Sequence, residues 1–198
     1  MYGMETRSDF MKTLMKYTIS ILCMLSLVAC GSRDNHISLD KEGAKYTIGK
    51  EVSFYYPNGY DLDTSKNIEK QVHADIDTAT PDNTLYFMNN DETIFYKFIQ
   101  DETDNTLEEK EVLYTGKLEQ DGATNIVVSK PILESGNTVC EISASYVNTG
   151  TRTKQIVYFS QNAMYVYGYL ATTDDYNENV DFITEFLKSI VINESTIS

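Results

Sequence analysis

The side chains that could do chemistry in this chain are mostly carboxylates, and they are scattered. The sequence has 30 aspartates and glutamates but only 2 histidines and 3 cysteines. It lacks the His-Glu-x-x-His, Gly-x-Ser-x-Gly and Cys-x-x-Cys motifs, and it has no glycine-rich phosphate loop. We therefore expect no catalytic residues built on histidine or cysteine, no cofactor and no metal site.

The carboxylates gather in four stretches that could supply oxygen ligands. These are Asp61 with Asp63, Asp75 with Asp77, residues 101–105 and residues 172–179. Calcium takes about six to eight oxygens, yet none of the stretches matches the twelve-residue calcium loop with its central glycine. We interpret them as solvated acidic loops. A small hydrolase that uses two carboxylates as acid and base is the alternative function.

A tyrosine stripe, defined as Tyr165, Tyr167 and Tyr169, alternates with aliphatic residues within "AMYVYGYLA". A period of two is typical of a strand, so the three tyrosines share one face. The aliphatic set suits packing against a helix better, and we therefore expect the stripe on the sheet face away from the C-terminal helix. There its rings and hydroxyls would form a ligand-binding platform. The alternative is that tyrosine simply suits strands, or that the faces are reversed and the stripe is core.

Cys30 follows a basic start at 11–16 and an apolar run at 19–28. This order of basic, apolar and small residues is typical of a secretory signal. The run is far shorter than the roughly 20 residues of a membrane-spanning helix. We expect residues 1–29 to be a signal peptide, with Met11 as the true initiator because two acids precede the basic start.

The residues Leu27-Val28-Ala29-Cys30 resemble the lipobox of bacterial lipoproteins, Leu-x-Ala-Cys. In that family the chain is cut before the cysteine, whose thiol receives a diacylglycerol. The resemblance implies lipidation of Cys30, incorporation of palmitate, and a protein anchored to the cell membrane on its extracytoplasmic face. Residues 30–44 are polar without an apolar period, and we expect them to be a lipidated cysteine followed by a flexible tether.

Cysteine use and charge agree with this location. Cys140 would be the single free cysteine after processing, so no disulfide is expected, and we interpret it as a buried small hydrophobe rather than a reactive thiol. The chain has a formal net charge of −14. A surface this acidic repels nucleic acid and anionic headgroups, so acyl chains and not a basic patch would hold the protein at the membrane, and nucleic acid is excluded as a partner.

Short alternating runs predict strands in the first half of the chain. Val52, Phe54 and Tyr56 alternate before a turn at 57–59. The runs "TLYFM" and "TIFYKFI" flank residues 89–92, which have the composition of a hairpin turn.

Helix signals in this half are weaker. Apolar residues at spacing four predict a short helix over 63–76, on which His73 would be solvated. Residues 107–120 are ambiguous, because their glutamates and leucines suit a helix whereas Gly116 argues against a long one.

The last third predicts an antiparallel meander and a closing helix. Four strand-like runs at 123–132, 137–147, 153–160 and 163–172 are joined by short turns. In the second run one face is apolar and the other polar, which is typical of a sheet with one packed and one wet side. The apolar residues are Cys140, Ile142, Ala144 and Tyr146, and the polar ones are Glu141, Ser143 and Ser145.

The closing helix has a possible cap at Asp174 or Asp175 and an apolar stripe at helical spacing. The stripe consists of Val180, Ile183, Phe186 or Leu187, and Ile190. Such a helix needs an apolar surface, which the sheet supplies. We therefore predict one α+β domain over 45–198, an antiparallel sheet with helices packed on one face.

The order of these motifs resembles the PsbP/DcrB-like domain of secreted bacterial lipoproteins, over about residues 45–193. It begins with "FYYPNGY", continues through the hairpin and "QIVYFSQNAMYVYGYLA", and ends with "FITEFLKSI". The usual tryptophan of the first motif is absent, and Tyr60 stands in its place. The resemblance implies a sandwich fold without a shared catalytic residue. It predicts a non-catalytic binding or envelope accessory module whose partner is an unknown ligand or envelope protein.

Overall fold

A computed structural model of the protein describes residues 37–63, 84–101 and 103–193. They fall within one compact unit, Ile37–Ser198. The predicted signal peptide, Cys30 and the helix with His73 lie outside the described residues. Within the described part of the chain, no helix is both long and apolar enough to cross a membrane.

The described helices are α1 (Leu39–Glu42), α2 (Leu107–Gln120) and α3 (Thr173–Leu187). The described strands are β1 (Gly43–Ile48), β2 (Val52–Pro57), β3 (Asp61–Leu62), β4 (Thr84–Asn89), β5 (Glu92–Gln100), β6 (Thr124–Ser129), β7 (Cys140–Tyr146), β8 (Thr151–Phe159), β9 (Ala163–Thr172) and β10 (Val191–Ile192). They form a three-stranded sheet, β1-β2-β10, and a seven-stranded sheet, β3-β4-β5-β9-β8-β7-β6. All strand pairs are antiparallel.

The predicted hairpin and meander are both confirmed. Asn89 pairs with Glu92 across the β4–β5 turn, and Asn90 has a φ of 51° there, a conformation that asparagine adopts more readily than most residues. Strands β6 to β9 follow one another as antiparallel neighbours. Strand β5, which comes earlier in the chain, pairs with the edge of β9 opposite β8, so β9 is a central strand of the sheet.

Two apolar cores lie on opposite faces of the seven-stranded sheet. The first is covered by α3 and the three-stranded sheet and includes Phe54, Tyr96, Tyr167, Ile183 and Leu187. The second lies under α2 and includes Leu118, Ile142, Val157 and Val166. The predicted α+β fold, an antiparallel sheet with packed helices, is confirmed. The prediction that the helices pack on one face is wrong, because the central strands are apolar on both sides and α2 and α3 cover opposite faces.

Helix α2 occupies the segment that the sequence left ambiguous. Thr106 accepts a hydrogen bond from the Glu109 backbone, and the Glu109 carboxylate accepts one from the Thr106 backbone, which together form a capping box. The Lys110 side chain is buried, with Nζ 2.6 Å from the Gln161 carbonyl oxygen and 3.2 Å from an Asp101 carboxylate oxygen. The helix is therefore fixed by a cap and a buried lysine, not by a continuous apolar stripe.

Helix α3 begins earlier than predicted. Its cap is Thr172, whose hydroxyl accepts from the Asp175 backbone and donates to the Asp175 carboxylate at 2.6 Å. Asp174 and Asp175 therefore lie inside the first turn, and the predicted caps are wrong. The threonine ends β9, so one residue closes the strand and starts the helix. The predicted stripe is confirmed for Ile183, Phe186 and Leu187, which are buried. Val180 is half-buried against the same core, and Ile190 is buried but lies beyond the end of the helix.

The predicted tether is too long at its C-terminal end. Helix α1 and the first residues of β1 fall within 30–44, and Gly43 and Ala44 pair with Pro57 and Tyr56 of β2. Backbone pairing with β2 holds the end of this segment in place. The sequence prediction depends on apolar periodicity, and this segment has none.

Candidate functional site

The tyrosine stripe lies inside the molecule. Tyr165, Tyr167 and Tyr169 are each 0% exposed and belong to the core under α3. The predicted placement, on the face away from the C-terminal helix, is wrong. Strand β9 is central and covered on both faces, so its aliphatic residues have a second core of their own. The predicted ligand-binding role needs an exposed stripe, and these rings are buried. No observation tests that role directly.

The hydroxyls of the stripe are used inside the fold. Tyr167 Oη donates to the Tyr55 carbonyl oxygen at 2.7 Å. Tyr169 Oη donates to the Glu92 carboxylate, and its ring stacks on Tyr176 with 5.9 Å between centroids. Burial, and then the hydrogen bond with Glu92, raises the pKa of Tyr169 well above its ordinary value.

Glu92 is the centre of a polar junction, which we define as Glu92, Tyr60, Tyr169 and Asn179. Besides the Tyr169 hydroxyl, its carboxylate accepts from Tyr60 Oη at 2.9 Å and from Asn179 Nδ2 at 2.8 Å. The junction ties the β4–β5 hairpin to β9 and α3. Because both Glu92 oxygens already accept hydrogen bonds, this carboxylate is poorly placed to serve as the base of a two-carboxylate hydrolase.

A different set of polar residues remains half-exposed beside α3. We call it the polar strip and define it as Glu141, Ser143 and Ser145 of β7 with Arg152 and Lys154 of β8. Ser145 pairs directly with Arg152, and Ser143 with Lys154. The predicted wet face of β7 is thus confirmed, since the alternating residues Cys140, Ile142 and Ala144 are buried in the second core.

Cations outnumber anions on the polar strip. Glu141 is shared by two ammonium groups: Lys154 Nζ lies 2.5 Å from one of its oxygens, and Lys188 Nζ, at the end of α3, lies 3.7 Å from the other. Arg152 makes no ion pair with the described residues. Its Nη1 donates to Asn177 Oδ1 at 2.6 Å, and its guanidinium lies over the Tyr176 ring at 4.3 Å.

Several donors of the strip lack acceptors. Arg152 Nε is buried and has no hydrogen-bond partner among the described residues. Within the same part of the chain, neither the Ser143 nor the Ser145 hydroxyl makes a hydrogen bond. Fixed cations beside free hydroxyl donors are the groups that bind an oxyanion. Sequence reasoning found the β7 half of this surface but missed Arg152 and Lys154, although their spacing of two places them on one strand face.

Cys140 has the environment expected of a structural thiol. It is buried, and its Sγ lies 3.4 Å from Glu111 Oε2, which in turn pairs with Lys130 at 2.7 Å. Burial, together with the Glu111 charge, raises the pKa of the Cys140 thiol to about 11. The thiol is therefore protonated and weakly nucleophilic at neutral pH, as the sequence interpretation predicts.

Two of the acidic clusters, 101–105 and 172–179, contribute side chains to the structure. Asp101 accepts from Thr103 Oγ1 at 2.6 Å and pairs with Lys110, and Asp175 takes part in the α3 cap. Burial opposes ionisation of Asp101, but hydrogen bonds from Thr103 and Lys110 lower its pKa overall. Over residues 37–63, 84–101 and 103–193, no group of three or more His, Cys, Asp and Glu side chains is arranged to hold a metal ion. The Asp75–Asp77 cluster lies outside these residues.

Comparison with known proteins identifies the fold. No family model matches the chain, and no curated protein matches it. The chain is similar to the solution structure of cyanobacterial PsbP (CyanoP) from Synechocystis sp. PCC 6803, with a TM-score of 0.52 and 15% identity over 83% of this chain and 97% of that one. At this identity the similarity shows the fold alone. The predicted PsbP-like sandwich is confirmed, and the likeness to DcrB stays a prediction.

Two further solved structures are similar at lower scores. A mutant of the protein Mog1 has a TM-score of 0.48 and 10% identity, covering 79% of this chain and 99% of that one. A protein from Bacteroides thetaiotaomicron VPI-5482 has a TM-score of 0.41 and 11% identity, covering 78% of this chain and 50% of that one.

Proposed function

We propose that this protein is a lipoprotein anchored through Cys30 to the extracytoplasmic face of the cell membrane. Its PsbP-like domain would act there as a non-catalytic binding or envelope accessory module. The observation that carries the anchoring is the lipobox-like Leu27-Val28-Ala29-Cys30, directly after a basic start and an apolar run.

Binding is favoured over catalysis by the state of the reactive groups. The Cys140 thiol is buried with a raised pKa, and the Glu92 oxygens already accept three hydrogen bonds. In contrast, the polar strip is half-exposed, and the Ser143 hydroxyl, the Ser145 hydroxyl and Arg152 Nε lack acceptors among the described residues. A surface with open donors and no activated nucleophile suits recognition better than bond cleavage.

Metabolic labelling with palmitate in a bacterial host tests the anchoring. Wild-type protein is expected to incorporate the label and sediment with membranes, and Cys30→Ala is expected to lose both properties, because the thiol is the acceptor. A single acyl chain holds weakly and two hold stably. Cys23→Ala is the matched control, since Cys23 lies in the apolar run and would leave with the signal. Label on Cys30→Ala, or its absence from the wild-type protein, would refute the anchor.

A further inference from the structure

We infer that the polar strip is a binding site for an oxyanion, a carboxylate or phosphate group carried by the ligand of this domain. The inference deepens the binding role proposed above and depends on it. Neither the fold nor the sequence resemblance assigns a ligand to this surface.

The local charge favours an anionic ligand. Lys154 and Lys188 share Glu141, their single ion-paired carboxylate among the described residues. Arg152 lies two residues from Lys154 on the same strand face and has no ion pair there. This excess of cations occurs in a chain whose formal net charge is −14. A ligand anion near Arg152 would balance the excess, and it would act at short range, within the Debye length of about 8–10 Å at physiological salt.

The arrangement of donors on the two strands also suits an oxyanion. Direct cross-strand pairs have Cβ atoms about 4.5–5.5 Å apart, and residues two apart on a strand are separated by about 6.6 Å. Ser145 with Arg152 and Ser143 with Lys154 form two such pairs side by side. Each pair joins a free hydroxyl to a cation, so an anionic group lying between the rows meets donors from both strands.

Arg152 is held in place, but its hydrogen-bonding capacity is incompletely used. Its guanidinium lies over the ring of Tyr176, which itself stacks on Tyr169 in the core. A buried donor without an acceptor is destabilising, and Arg152 Nε is such a donor among the described residues. An oxyanion supplies several acceptor oxygens to a guanidinium and to hydroxyls at once, which a neutral amide does not.

We expect the strip to bind anions weakly and to attract them only at short range, because α3 presents exposed acids nearby. Asp174, Glu178, Asp181 and Glu185 repeat along its solvent side. They repel anions at a distance, so binding depends on direct contact with the strip. Salt screens the direct attraction between the strip cations and a bound anion, so added salt should weaken binding of a small anion.

Titration of the full-length protein in neutral detergent tests the inference, with inorganic phosphate and succinate as separate probes and sodium chloride at matched ionic strength. At least one probe is expected to shift the backbone amide NMR signals of residues 143, 145 and 152 saturably. Phosphate binding without succinate binding indicates a phosphate-bearing ligand, and the reverse indicates a carboxylate-bearing one. Either result supports the site, and shifts by neither probe overturn it.

Variants separate the strip from the general charge of the protein. Arg152→Gln is expected to weaken binding at least tenfold. Ser145→Glu places a carboxylate opposite Arg152 and is expected to do the same while keeping or raising stability, so the test survives if Arg152→Gln folds poorly. Lys117→Gln removes an exposed cation from α2 and is the matched control, with unchanged binding expected. Equal losses in Lys117→Gln and Ser145→Glu would overturn the site.

The inference fails separately from the proposed anchor. Cys30→Ala is expected to bind phosphate or succinate as the wild-type protein does, because the strip does not contain the anchor. Arg152→Gln is expected to incorporate palmitate normally. Loss of palmitate with intact anion binding would remove the anchor alone, and the opposite result would remove the oxyanion site alone.

Discussion

Tyr169 joins the core to the polar junction, because its ring packs in the core and its hydroxyl belongs to the junction. Its ring is fully buried and stacks on Tyr176 of α3, and its hydroxyl donates to Glu92 at the start of β5. A hydrogen bond to a charged group contributes about 1.5–3 kcal/mol, roughly twice the value for neutral partners. The junction is therefore expected to matter more for stability than the other tyrosine hydroxyl contacts.

Tyr169→Phe is expected to lower the free energy of unfolding by about 1.5–3 kcal/mol, because it removes that donor while keeping the ring. Urea denaturation measures the change. Tyr146→Phe is the matched control, since the Tyr146 hydroxyl has no hydrogen bond among the described residues, and it should change stability by less than about 0.5 kcal/mol. Equal effects of the two substitutions would show that the junction contributes nothing specific.

At the scale of elements, α3 is the cover of the first core. It packs over β2, β8 and β9, and Leu187 is 0% exposed whereas Phe182, in the adjacent turn, is 38% exposed. Large buried apolar residues contribute both their transfer free energy and the packing that a cavity would lose. Substitutions at the two positions therefore measure how much the packing of α3 contributes to the free energy of unfolding.

Leu187→Ala is expected to reduce the free energy of unfolding by about 2–5 kcal/mol. Phe182→Ala, which removes a larger but partly exposed side chain, should cost clearly less. Denaturant midpoints of the two variants provide the comparison. If Leu187→Ala left the midpoint unchanged, α3 would not be docked as the structure shows.

Helix α2 depends on a polar contact instead. The Lys110 ammonium is buried against the Asp101 carboxylate and the Ser160 and Gln161 carbonyl oxygens. Lys110→Met is expected to cost about 3–5 kcal/mol, because it leaves a partly buried carboxylate without its cation. Lys117→Met, on the same helix but 65% exposed at its side chain, should be nearly neutral. Thermal unfolding of both variants decides whether the buried lysine fixes this helix.

The elements also show where sequence reasoning succeeds and where it stops. The alternation in β7 predicts the buried and solvent-facing sides of the strand correctly, because one side is polar and only the other can face the core. The alternation in β9 does not, since tyrosines and aliphatic residues both suit burial and the strand is covered on both faces. Glu92 was not foreseen, because a glutamate in a hairpin turn looks solvated until β9 and α3 are brought beside it.

At the scale of the whole molecule, buried tyrosines couple stability to alkaline pH. Burial is the main cause that raises the pKa of Tyr60, Tyr96, Tyr114, Tyr167 and Tyr169 above the ordinary value of 10.0. These groups bind protons more tightly in the folded state, so the stability linked to them is fully present below pH 10 and is lost as the pH rises further.

The free energy of unfolding is therefore expected to fall above pH 10, and the buried tyrosines should ionise together with unfolding. Absorbance of tyrosinate near 295 nm, followed alongside circular dichroism, measures both events. Titration of the whole set in one step near pH 10, with the fold intact, would contradict the burial of these tyrosines.

We propose that a PsbP-like binding domain is tethered to the membrane by a lipid on Cys30. Mass spectrometry of the N-terminal peptide from membrane-extracted protein tests this tether. We expect a mature chain that begins at Cys30 and carries the mass of a diacylglyceryl group on that residue. A mature chain with an unmodified Cys30, or one that begins at another residue, would contradict it.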